Sequence, residues 1–136
     1  MKKIVVSTIF FLNALVVCTA TNAANTANTI KACLNKQTNN ISFSQCLDGI
    51  KESVDRELQT WVNNQVFILE KKAQTTGRRS ALTMFKRSQK NFVTFRENNC
   101  RWQYLARSPS INAGPAYKKC YILLTKNRIQ ELSKLN

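Results

Sequence analysis

The chain predicts an all-α fold, a three-helix, mostly antiparallel bundle with a short N-terminal helix and two disulfides. Three observations carry this reading. Apolar residues recur at steps of three and four through three long segments. Helix breakers are scarce, with 3 Gly and 2 Pro in 136 residues. Four of the 5 cysteines lie beyond the N-terminal apolar run, an even number suited to pairing.

The N-terminus reads as a targeting segment. Met1-Lys2-Lys3 is positive, Ile4 to Val17 is apolar but for Ser7, Thr8 and Asn13, and small residues lead to Ala23. That layout predicts a signal peptide over 1–23, cut after Ala23. The run falls short of the roughly 20 apolar residues of a membrane span. Cys18 stands at the end of a near-lipobox, but the branched Val17 before it argues against lipid anchoring. A periplasmic or secreted bacterial protein is therefore expected. Residues 24–29 form a polar leader without periodicity, and 30–136 make one helical domain.

A short segment around Ile30 to Leu34 holds Cys33, and the polar tract 36–40 breaks it. Ser42-Phe43-Ser44-Gln45 fits a capping box with Ser42 as N-cap. The first long helix then carries Phe43, Cys46, Leu47, Ile50, Val54, Leu58, Trp61, Val62, Gln65, Ile68 and Leu69 on one stripe. Gly77 is placed to end it in the left-handed conformation. A second helix starts near Ser80, with Phe85, Phe92, Phe95 and Trp102 expected as its core face. It stops before Pro109, which disfavours a helical residue ahead of it. After a loop over 108–114, Pro115 opens a third helix with Tyr117, Tyr121, Leu124, Arg128 and Leu132 as its stripe.

Cys33, Cys46, Cys100 and Cys120 allow three pairings. Local pairing, Cys33 with Cys46 and Cys100 with Cys120, is the simplest. The second bond would staple a helical hairpin. Zinc is disfavoured because the chain has no His and no closely spaced cysteine pair.

Composition argues against an enzyme. Without His there is no imidazole base and no Ser-His or Cys-His nucleophile pair. No Gly-rich phosphate loop is present. Glu52, Asp55 and Glu57 cluster on the first long helix, but basic neighbours make them read as a solvated face. No cofactor or metal is expected. Charge points instead to a binding protein. There are 21 Lys+Arg against 7 Asp+Glu, and without Lys2 and Lys3 the balance is 19 against 7, or +12. Short basic runs, Arg78-Arg79 and Lys118-Lys119, are candidate anion-binding residues. Loop residues Ser108, Ser110 and Asn112 are candidates for partner contact, since loops on a rigid scaffold carry function.

Two further stretches bear on family. One reads Gln89-x-x-Phe92-x-x-Phe95-Arg96-x-x-x-Cys100, the other Cys120-x-x-x-Leu124-Thr125-x-x-Arg128-x-x-Glu131-Leu132. With Cys46 at the start of a long helix, they resemble the LprI-like lysozyme-inhibitor family over about residues 33–135. The chain departs from that pattern at Phe92, where the family commonly has Trp. It departs again at Leu58-Gln59 and Val62, where the family has a Leu-Asn pair followed by Tyr. The resemblance implies a disulfide-bonded helical domain that inhibits lysozyme; the expected mechanism is blockade of a lysozyme or other muramidase, with a loop or basic side chain occluding its acidic cleft. Gln89, Phe92, Phe95, Arg96, Leu124, Thr125, Arg128 and Leu132 occupy motif positions, and Gln89, Arg96 and Arg128 are expected to form a polar network between helices. The other reading is an envelope structural or anion-binding module holding lipopolysaccharide, wall polymer or nucleic acid on its basic surface.

Overall fold

The computed structural model describes residues 29–36 and 39–135. The expected signal peptide, Cys18, and leader residues 24–28 lie outside them. Among the described residues four helices follow in order: α1, Ile30–Lys36; α2, Asn40–Thr76; α3, Ser80–Leu105; α4, Ala113–Ser133. The described residues are all-α, and both local disulfides are present. Cys33 joins Cys46 with Cα atoms 5.8 Å apart, and Cys100 joins Cys120 at 5.5 Å.

Helix ends follow local chemistry, with two corrections. Thr29, assigned by the sequence to a loose leader, accepts from the Ala32 N–H at 3.0 Å and caps α1. Asn39, not Ser42, caps α2. Its side chain accepts from the Ser42 N–H at 2.9 Å, so Ser42 already lies within the first turn. Gly77 ends α2 as expected, with φ 71° and its N–H bonded to the Ala73 carbonyl. Pro115 lies in the first turn of α4, but the helix begins earlier, at Ala113, so the loop spans 106–112.

The α2 stripe is the backbone of the core. Phe43, Leu47, Ile50, Val54 and Leu58 are buried together with Cys33 of α1 and Ile122, Ile129 and Leu132 of α4. Helices α2 and α3 each pack more extensively on α4 than on one another. The core face of α4 differs from the expected stripe. Ile122, Thr125 and Ile129 are buried, and Leu124 is only half-buried.

The expected core face of α3 is half wrong. Phe85 and Phe92 pack against the core, but Phe95 is 55% and Trp102 56% exposed. The Cys100–Cys120 bond supplies the reason. It turns Cys100 toward α4, which also turns Arg96, one turn earlier, inward. Each residue advances a helix by about 100°. Phe95 and Trp102 therefore rotate away from the face that the disulfide selects.

The core ends well before α2 does. With 37 residues, α2 is about 55 Å long, whereas α4 has 21 and spans about 31 Å. Trp61, Val62 and Phe85 pack against this cluster, and beyond Val62 only Ala73 of α2 is buried, so Ile68, expected on the core stripe, is 40% exposed where no α4 lies over it. From there α2 and α3 continue as a two-helix hairpin, tied by the Lys86–Glu70 ion pair at 3.2 Å.

Candidate functional site

The sequence-selected residues fall into three places. The first is a polar seam between the helices. Arg96 is buried, and one guanidinium nitrogen donates to Asp55 at 3.1 Å and to the Thr125 hydroxyl at 2.8 Å. The Thr125 hydroxyl donates to the Tyr121 carbonyl, and the Tyr121 hydroxyl donates to Asp55 at 3.0 Å. The Arg96 guanidinium also lies 3.8 Å from the Tyr121 ring centroid and 5.5 Å from that of Phe92. Arg128 takes a separate set, donating to Gln89 at 3.2 Å, Ser88 at 3.3 Å and Glu131 at 2.7 Å. Phe92 stands between the two sets, since Arg128 is 5.7 Å from the same ring. Gln89 and Arg128 thus meet directly, while Arg96 joins them only through Phe92.

Asp55 is therefore misplaced by the solvated-face reading. Glu52 and Glu57 are exposed, but Asp55 receives Arg96, Tyr121 and Lys51. Asp48, seven residues earlier, receives Lys118 at 2.6 Å. The signal was present: both aspartates immediately follow a core residue of the α2 stripe, Leu47 and Val54.

Tyr121 and Tyr117 act as hydrogen-bond donors, not bases. Burial, with the hydrogen bond to Asp55 adding to it and the Arg96 charge opposing it, pushes the Tyr121 phenol up to about 12. Burial and the hydrogen bond to Glu97 push Tyr117 to about 12 as well. In return, the Tyr117 hydroxyl and then Arg101 hold the Glu97 carboxyl below its usual range. Among the described residues, no group of three or more His, Cys, Asp or Glu side chains could hold a metal ion.

The second place is the stapled end. The loop 106–112 leaves α3 five residues after Cys100 and enters α4. It includes a cis Ser108–Pro109 bond. Ser110 donates its N–H to the Arg107 carbonyl at 2.8 Å, and its hydroxyl accepts from the Asn112 N–H at 3.2 Å. Asn112 accepts from the Asn40 side chain at 3.2 Å, pinning the loop to the start of α2. Ile111, between them, is 65% exposed. Beside the loop lies an open cleft of about 620 Å³. Its lining includes Asn112 and Lys119, which the sequence singled out, and Leu124 from the motif. It also includes Asn39, Gln103, Arg107 and Leu123, which it did not. These four are unremarkable one by one in the sequence, and only the fold converges them. The cleft lining contains cations but no carboxylate.

The third place is the far end of the hairpin, where Arg78 and Arg79 sit in the α2–α3 turn, away from the cleft. The two basic runs thus differ. Lys118 is bound to Asp48 and Ser44, and Lys119 lies 5.0 Å from the Phe43 ring centroid. Arg78 and Arg79 are exposed, with no carboxylate partner among the described residues.

With this geometry in place, comparison with known families decides the lineage. The family model described as lysozyme inhibitor LprI matches residues 33–132, from the first paired cysteine to the last buried leucine of α4. The chain belongs to the LprI lysozyme-inhibitor family. No curated protein and no solved structure matches the chain. The matched LprI region encloses both disulfides, the polar seam and the cleft. The family description is that of an inhibitor, not of an enzyme, and it points to lysozyme as the kind of partner. No helix among the described residues is long and apolar enough to cross a membrane.

Proposed function

We propose that this LprI-family protein is exported and inhibits a muramidase by seating its stapled end over the enzyme's acidic cleft. The observation that carries the reading is the loop 106–112. It is fixed between the Cys100–Cys120 bond and the Asn40–Asn112 hydrogen bond, and it presents Ile111 beside a cleft lined by cations and no carboxylate. A glycosidase cleft holds two carboxylates that perform the chemistry. Arg107 and Lys119 complement such a cleft in charge, and the exposed Ile111 offers an apolar contact beside them. A rigid mount loses little freedom on binding, so more of the contact energy appears as affinity. Ser110 and Asn112 hold the loop's shape, and Ser108 bonds its N–H back to the end of α3.

The test is muramidase activity titrated with protein beginning at Ala24, using one acidic and one basic lysozyme at low and high salt. Inhibition is expected to survive moderate salt, because a few buried contacts carry it. Against a basic lysozyme it should improve as salt rises, since screening relieves repulsion between two positive proteins. Replacing 107–112 with a Gly-Ser loop of equal length should abolish inhibition while helix content and both disulfides persist. Failure to inhibit either enzyme at micromolar protein overturns the proposal.

A further inference from the structure

The hairpin tip has no role in the stapled-end reading, yet it concentrates the charge of the molecule. Between residues 63 and 90 stand seven cations, Lys71, Lys72, Arg78, Arg79, Lys86, Arg87 and Lys90, against the single carboxylate of Glu70. Seven less one leaves +6 in this stretch, out of +14 for the chain. All seven cations are exposed, and among the described residues only Lys86 has a carboxylate partner. So much like charge at one end is not needed for folding, because the core closes before it.

Apolar side chains are interleaved with these cations. Phe67 is 59%, Ile68 40% and Met84 58% exposed. Phe67 with Lys71, and Ile68 with Lys72, are four apart and share the outer face of α2. Lys71 Nζ lies 5.5 Å from the Phe67 ring centroid, so cation and ring occupy one patch. At the mouth of the hairpin a groove of about 410 Å³ is lined by Lys72, Arg78, Thr76 and Ser80, with Leu69 and Ala81. Cations and hydroxyls thus meet aliphatic surface in one concavity.

We infer that this tip docks on a lipid surface rich in anionic phosphate headgroups. A soluble polyanion such as polyphosphate would satisfy the cations but leave Phe67, Ile68 and Met84 in water, and a nucleic acid could stack a base on Phe67 but would leave the aliphatic Ile68 and Met84 uncovered. The headgroup boundary of a bilayer takes both, with cations at the phosphates and apolar side chains at the acyl edge. The inference does not rest on muramidase inhibition, because the tip and the loop 106–112 lie at opposite ends of α3.

Co-sedimentation of protein beginning at Ala24 with phosphatidylcholine vesicles, and with vesicles also containing phosphatidylglycerol, tests it. Binding is expected only to the anionic vesicles. Each cation near such a surface contributes roughly a fivefold factor, so Arg78→Ala with Arg79→Ala should weaken partition about 30-fold at low salt. Phe67→Ser with Ile68→Ser should also weaken vesicle binding, by about tenfold, while leaving binding to polyphosphate unchanged. Helix content measured by circular dichroism shows that each variant is folded. Lys118→Ala with Lys119→Ala serves as the contrast and should change vesicle binding far less than the arginine pair. Three results overturn the inference: no preference for anionic vesicles, indifference of vesicle binding to Phe67→Ser with Ile68→Ser, or equal loss from the lysine pair. The second would show that charge alone, without the apolar side chains, holds the tip.

Discussion

At the stapled end, α1, α2, α3 and α4 converge on two disulfides, an apolar cluster and the Asp55–Arg96–Thr125–Tyr121 seam. At the hairpin end, two helices run side by side with Ala73 as their one buried residue past Val62 in α2, and with no fully buried residue in α3 before Arg96. The same two helices pass through both regions, so propensity does not distinguish them. What differs is the third neighbour. Where α4 lies alongside, side chains are enclosed from several directions and polar groups find partners at fixed distances. Where it is missing, each helix buries one narrow strip and leaves the rest to water. The first environment suits a rigid loop mount, and the second suits a charged surface that must stay accessible.

Removing both staples should produce the largest effect. In the chain-entropy account, closing loops with separations of 13 and 20 contributes about 3 kcal/mol each. Together this is comparable to the whole stability of a typical small domain. The variant with all four cysteines changed to Ser is expected to be largely unfolded at physiological temperature, as read by circular dichroism and denaturant titration. A fully folded four-serine protein would show that packing on α4 suffices.

A paired truncation sharpens the comparison. Leu47→Ala, at a side chain with no exposure, should cost about 2–5 kcal/mol, whereas Ile68→Ala in the tip should cost less than about 1 kcal/mol. Equal costs in urea unfolding would mean that the hairpin is held as firmly as the base.

Arg96→Ala comes next. It removes a buried cation from Asp55, Thr125 and two aromatic rings, and leaves the Thr125 hydroxyl without that donor. Asp55 is about one-third exposed and keeps Lys51 and Tyr121, so the loss should be about 2–3 kcal/mol, below that of a fully buried pair. Arg79→Ala, exposed and with no carboxylate partner among the described residues, should change stability by under about 0.5 kcal/mol.

The last contrast is the pH dependence that the base contributes. Tyr117 and Tyr121 have folded-state values of about 12 against an ordinary 10, so the folded state keeps their protons where the unfolded chain releases them. Their contribution is complete below pH 10 and is lost as pH rises toward about 12. Glu97 behaves oppositely. Its lowered value gives a contribution present above the ordinary carboxylate range and lost as pH falls through the folded-state value. Thermal midpoints should decline at both extremes. Tyr117→Phe with Tyr121→Phe should flatten the alkaline limb, and an unchanged limb would show that other groups govern it.

Much of the chain was legible before the fold was seen. The α2 stripe from Phe43 to Leu58, the left-handed Gly77, the break before Pro109 and the all-helical class follow from periodicity and breaker chemistry, both local properties. Local cysteine spacing likewise pointed to the observed pairs. These features need no distant partner, so one segment suffices to reveal them. The sequence also set the net charge and the lack of histidine, which narrowed the chemistry toward binding. The rotation of α3 could not be read in this way. Phe95 and Arg96 are adjacent, and hydrophobicity favours burying the phenylalanine. The Cys100–Cys120 bond and the reach of Asp55, Thr125 and Tyr121 from two other helices bury the arginine instead. Lys118 and Arg78 looked equivalent as basic residues, and only the position of Asp48 across the bundle separates an internal ion pair from an open cation. Where α4 ends against the longer α2 was likewise decided in three dimensions. Burial depends on how many neighbours enclose a side chain, and that number is a property of the assembled bundle rather than of any one helix.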